Sequence, residues 1–161
     1  MKRNRGLFVL ILLALLLLLP LSGAHAEETI NLSRGQTVYV PAYSHIYVGN
    51  RERPFLLTVT LSIRNIDAKH PITITAADYY DTKGKRIRKY LERQVLLTPW
   101  ESIRFVVPQK DKSGGSGANF VVEWKSDKAV NPVLVETIMI GAESQQGISF
   151  TSRGQAISTT N

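Results

Sequence analysis

From Leu57 to Arg64 the side chains alternate without a break: Leu57, Val59, Leu61 and Ile63 are apolar, and Thr58, Thr60, Ser62 and Arg64 are polar. Successive side chains of a strand point to opposite faces, so a period of two describes a strand with one buried and one wet face. The pattern recurs. Ile72 and Ile74 flank Thr73, Ile103, Phe105 and Val107 run past Arg104, and Phe120, Val122 and Trp124 run past Glu123 and Lys125. Val38 and Val40 flank Tyr39. From Val133 to Ile140 both faces are apolar apart from Glu136 and Thr137, as in a central strand covered on both sides or one beside an interface. No stretch of the chain beyond its N-terminal segment has the three- and four-residue spacing of an amphipathic helix of three turns.

Turn chemistry separates the runs. Asp81-Thr82-Lys83-Gly84 is a hairpin signal, with Gly84 free to take positive φ. Asn65 to Pro71 is polar and ends in proline, and Pro99 in Leu97-Thr98-Pro99-Trp100 has no amide hydrogen to give a ladder. Lys110 to Gly117 is a glycine/serine loop, and Asn131-Pro132 starts the next strand. The polar tail from Thr151 to Asn161 is expected to fray. Together these predict an all-β chain, a single antiparallel immunoglobulin-like β-sandwich of about 7–9 strands.

The segment before the strands has a different character. Lys2, Arg3 and Arg5 precede an unbroken apolar run of 13 residues, Leu7 to Leu19, and Ala24-His25-Ala26 is a small-x-small cleavage site. This is the layout of a secretory signal peptide, and the run is shorter than the roughly 20 apolar residues of a spanning helix. Residues 1–26 are therefore expected to be removed, leaving 27–161 as one β-sandwich domain of 135 residues with no membrane span. The leader takes 3 of the 20 basic residues and none of the 13 acids, so the mature charge falls from +7 to +4. So mild a surplus does not argue for nucleic acid.

With no cysteine, the chain excludes disulfides, zinc–thiolate sites, iron–sulfur clusters and a cysteine nucleophile, so the core alone must hold the fold in an oxidising compartment. His45, His70 and Met139 lack the short spacing of a transition-metal site. Asp78, Asp81 and Asp111 could gather at one end, but Asp78 to Gly84 does not fit a calcium loop, and supporting the turn is the simpler role for Asp81. No G-x-S-x-G elbow is present. Neither a metal nor another cofactor is called for. In the loop from Lys112 to Asn119, Gly114, Gly115 and Gly117 could present amides to an anion beside Lys110 and Lys112, although the P-loop lysine is missing and a plain hairpin tip would explain the glycines equally well. Tyr79 and Tyr80 are strand neighbours, so one should face the core and the other solvent, where tyrosine suits recognition.

Five stretches resemble a known family: Val38-Tyr39-Val40-Pro41, Thr60 to Asn65, Asp78-Tyr79-Tyr80-Asp81, Gly114 to Phe120 and Gln146 to Phe150. They look like the bacterial DUF3124 family, small exported proteins with a domain of unknown function, over about Gln36 to Gly154. The resemblance implies a bacterial envelope protein and carries over no catalytic residues.

The expected function is thus that of a non-enzymatic binding or structural module of the envelope, periplasmic or secreted, whose partner is an envelope protein. Its expected contact residues are Asp78, Tyr80, Asp81, Lys112, Gly114, Gly115, Gly117 and Asn119. One alternative is a small anionic ligand held by the Lys112-to-Asn119 loop. Another is a hydrolase of envelope polymers.

Overall fold

The computed structural model describes residues 31–50, 52–143 and 146–160. The proposed leader, residues 1–26, lies outside them. Among the described residues twelve strands follow in order: β1 (Ser33–Pro41), β2 (His45–Val48), β3 (Arg53–Leu56), β4 (Thr58–Arg64), β5 (Ile72–Tyr80), β6 (Arg86–Lys89), β7 (Val95–Leu97), β8 (Ser102–Val107), β9 (Asn119–Val130), β10 (Leu134–Glu143), β11 (Gln146–Arg153) and β12 (Gln155–Thr160). They form an antiparallel six-stranded sheet ordered β12-β1-β9-β5-β6, with β7 also on β5, a four-stranded sheet β11-β10-β4-β8, and the hairpin β2-β3.

The alternating residues explain the layering. Val38, Val40, Ile72, Ile74, Tyr79, Phe120, Val122 and Trp124 face inward from the larger sheet, and Val59, Leu61, Ile63, Val107, Val135 and Met139 from the smaller, closing one core. Thr137 ties the layers, donating its hydroxyl to the Pro41 carbonyl at 2.6 Å. Between β11 and β12 the chain changes sheet at Gly154, whose amide donates to the Val135 carbonyl at 2.8 Å. A Cβ there would press on Val38 and Val40, so glycine is what lets the chain cross this close to the core.

The all-β, two-layer architecture matches the alternation, but the strands outnumber those expected. Short β2, β3, β6 and β7 were not separable by period. The tail expected to fray is instead the last part of β11 and all of β12, which pairs with β1. Every residue of β12 is exposed. A strand laid on a sheet edge by backbone bonds needs no apolar face, and for that reason polar composition did not reveal it. The double-sided apolar run is β10, second in its sheet, with Ile140 exposed on the outer face.

Candidate functional site

The two loops expected to make contact meet at one end of the sandwich. The tip between β5 and β6 is built by Asp81, whose Oδ1 accepts the amides of Lys83 and Lys85, both at 2.9 Å, while Gly84 sits at φ 77. Asp81 therefore holds its own turn. Thr82 then docks the tip onto the glycine loop. Its amide (2.9 Å) and hydroxyl (3.0 Å) both donate to the Gly114 carbonyl, and the hydroxyl oxygen accepts the Gly117 amide at 3.0 Å. The Gly115 amide turns back to the Lys112 carbonyl at 3.2 Å, and the Gly115 carbonyl accepts from Ser44 at 3.0 Å.

Tyr79 is the post around which these segments gather. Its ring packs on Phe120 with centroids 4.8 Å apart, and its hydroxyl meets the buried Ser44 hydroxyl at 2.9 Å. Burial pushes the Tyr79 hydroxyl above its ordinary pKa, with the Ser44 bond acting in the opposite sense. Gly114 lies against this hydroxyl so closely that any Cβ would overlap it, and a Cβ on Gly115 would strike Thr82. The three loop glycines are thus scaffold, and the Gly115 and Gly117 amides are spent on internal bonds rather than turned to an anion.

The remaining expected residues divide between two places. Tyr80 and Asn119 are cross-strand partners, and Asp78 lies one pleat away, opposite Val121, which is in turn opposite Tyr39. Cross-strand partners share a face, so Asp78, Tyr80, Asn119 and Tyr39 lie together on the outer face of the larger sheet, opposite to Tyr79. Asp78 Oδ2 pairs with Arg86 at 3.0 Å, while its buried Oδ1 has no partner. Lys112 instead lines a cleft of about 270 Å³ with Arg53, Gln109 and Glu143. Arg53 and Glu143 close an ion pair of 2.7 Å across it. Arg53, Gln109 and Glu143 come from distant parts of the chain, and no spacing in the sequence signals their meeting.

Other polar groups serve the fold. Asp67 Oδ1 accepts the amides of Lys69 and His70, both at 2.9 Å, and His70 Nδ1–H at 3.2 Å, while Oδ2 accepts the Asn131 amide at 3.1 Å. The amides of Lys69 and Asn131 lead in holding its pKa down to about 2, against the opposing effect of burial. The Asp67–His70 contact is thus part of a loop staple whose carboxylate is engaged on both oxygens. Among the described residues no group of three or more His, Cys, Asp or Glu side chains is placed to hold a metal. Trp100 carries no signal in the sequence beyond the break at Pro99. The indole is 68% exposed, and its residue has φ 67.

A two-layer antiparallel β-sandwich, with one end locked by a glycine loop and an open tyrosine-bearing face, is the class of domain these features define. The chain belongs to the family described as "Protein of unknown function (DUF3124)", whose model matches residues 35–157, from the first strand to the last. Among solved structures it is similar to the crystal structure of Thermotoga maritima 1070, with 16% identity and a TM-score of 0.44, over 78% of this chain and 95% of that one. A search of curated proteins found no match.

Proposed function

We propose that this protein is an exported, non-enzymatic binding module of the bacterial envelope that captures a protein partner on the outer face around Tyr39, Asp78, Tyr80 and Asn119. One observation carries the reading: residues from three separate strands converge on one open face, beside a loop end stiffened by the Thr82 and Ser44 bonds. Tyrosines on a rigid support offer contact area at little entropic cost. Export is supported by the leader pattern of residues 1–26. The combined variant Y39A/Y80A/N119A should keep its melting temperature and lose its partner in pull-downs from the host's envelope. Undiminished capture by a folded variant would refute the site.

A second reading has its own observation. Arg53 is neutralised by Glu143, so Lys112 leaves the cleft with net positive charge suited to a small anionic ligand. It predicts that inorganic phosphate or a dicarboxylate raises the melting temperature of the wild type and not of Lys112→Ala. Equal shifts in both would remove it.

A further inference from the structure

The turn joining β7 to β8 stands at the opposite end from the glycine loop. Glu101 N–H donates to the Thr98 carbonyl at 3.1 Å, closing a four-residue turn with Pro99 second and Trp100 third. A third residue at φ 67 is the type II geometry, where glycine is the usual occupant. A β-carbon in this region costs energy, and bulky residues are genuine outliers there. The surroundings hold the turn all the same. Glu101 Oε2 accepts the Thr98 amide (2.8 Å) and hydroxyl (2.9 Å), Asn65 N–H donates to the Glu101 carbonyl at 2.9 Å, and Asn65 Nδ2 donates to the Leu97 and Thr98 carbonyls. The fold thus keeps a large apolar side chain in a strained position and puts it in water. Neither the strain nor the exposure stabilises the native state, and such positions persist where they serve a function.

The neighbours narrow the occupant. The hydrogen-bonding groups near the indole, on Glu101, Thr98 and Asn65, are consumed inside the turn, which leaves little to recognise a sugar. Beyond the pairing of β4 with β8, Asn65 N–H reaches the Glu101 carbonyl beside Trp100, and the residue after Asn65 is Ile66, 39% exposed. An indole and an isoleucine on a convex tip fall well short of the roughly 800 Å² per partner of a stable protein interface. They suit the polar–apolar boundary of a bilayer, where tryptophan is favoured. Lys69 is exposed in the adjoining loop, and Ser126, bonded to the Pro71 carbonyl at 3.1 Å, brings Lys128 alongside, next to Asp127. The charge of +4 on residues 27–161 adds attraction to anionic lipid.

We propose that the Trp100 turn is a peripheral membrane anchor, with Trp100 and Ile66 entering the headgroup region of a bilayer containing anionic lipid. The chain has two tryptophans, and Trp124 is 3% exposed with an Nε1–H that makes no hydrogen bond, so Trp124→Phe forfeits none and leaves Trp100 as the reporter. With phosphatidylethanolamine/phosphatidylglycerol vesicles, emission of the exported protein carrying W124F should shift to shorter wavelength. If W124F does not fold, the wild-type minus W100G difference spectrum reads the same quantity. W100G should bind these vesicles roughly tenfold or more weakly, the worth of a buried aromatic side chain. W100G should also melt at the wild-type temperature or above, since glycine suits the backbone. Equal vesicle binding by W100G, or a spectral shift given by soluble glycan or a protein partner and not by vesicles, would overturn the proposal. A clear fall in the melting temperature of W100G would assign Trp100 to the fold and overturn it equally.

Discussion

Gly84 and Gly114 occupy turns at the same end of the molecule for different reasons, and substitution should separate them. Gly84 has φ 77 and open space around it, so Gly84→Ala should cost about 1 kcal/mol, the price of a β-carbon in the left-handed region. Gly114 has no such angle, but its missing Cβ is the room taken by the Tyr79 hydroxyl, so Gly114→Ala should cost more, about 1–3 kcal/mol, by overpacking. Denaturant titration reads both. The turn at Gly84 was legible in Asp81-Thr82-Lys83-Gly84, because a hairpin tip is local chemistry. The packing of Gly114 on Tyr79 was not, because it joins residues 35 positions apart. Asp67 allows a test by pH. Its carboxyl is held near 2 against an ordinary 3.8, so the folded state binds the proton less readily than the unfolded chain. The resulting stabilisation is present above about pH 4 and is lost as pH falls toward 2. Asp67→Asn should therefore lower stability at pH 7 by about 2 kcal/mol and flatten the acid side of the pH–stability profile. An unchanged acid limb would contradict the staple.

Short strands and strands with two wet faces carry no period, and that is where the sequence left the elements undefined. β4 was legible from Leu57 to Arg64 because it divides core from solvent residue by residue. β12 was not, since all six of its side chains are exposed and it is held to β1 by backbone bonds and by the Ser33 hydroxyl, which donates to the Thr160 carbonyl at 3.1 Å. Hydrogen exchange should therefore be slowest in β9, which lies between β1 and β5, and fastest in β12. Removing residues 155–161 should uncover the paired edge of β1 and produce concentration-dependent self-association, measurable by light scattering. A truncated chain that stays monomeric at all concentrations would show that this edge needs no cover.

At the scale of the whole molecule, the sandwich keeps its ends and faces distinct. One end is locked around Tyr79, the other carries the strained Trp100 turn, and the larger sheet turns Tyr39, Asp78, Tyr80 and Asn119 outward. The sequence singled out three of those four residues as contacts from tyrosine chemistry and loop position, but the face they form depends on strand order, which residue spacing does not encode. On the proposed function, this face meets a protein partner in the envelope. That contact is tested most directly by placing a photoreactive benzoylphenylalanine at position 80 and, in a second strain, at position 140 on the outer face of the other sheet, then irradiating living cells of the host. A discrete cross-linked adduct is expected from position 80 that position 140 does not give. Adducts of equal yield from both positions, or none from position 80 in a folded and exported protein, would contradict it.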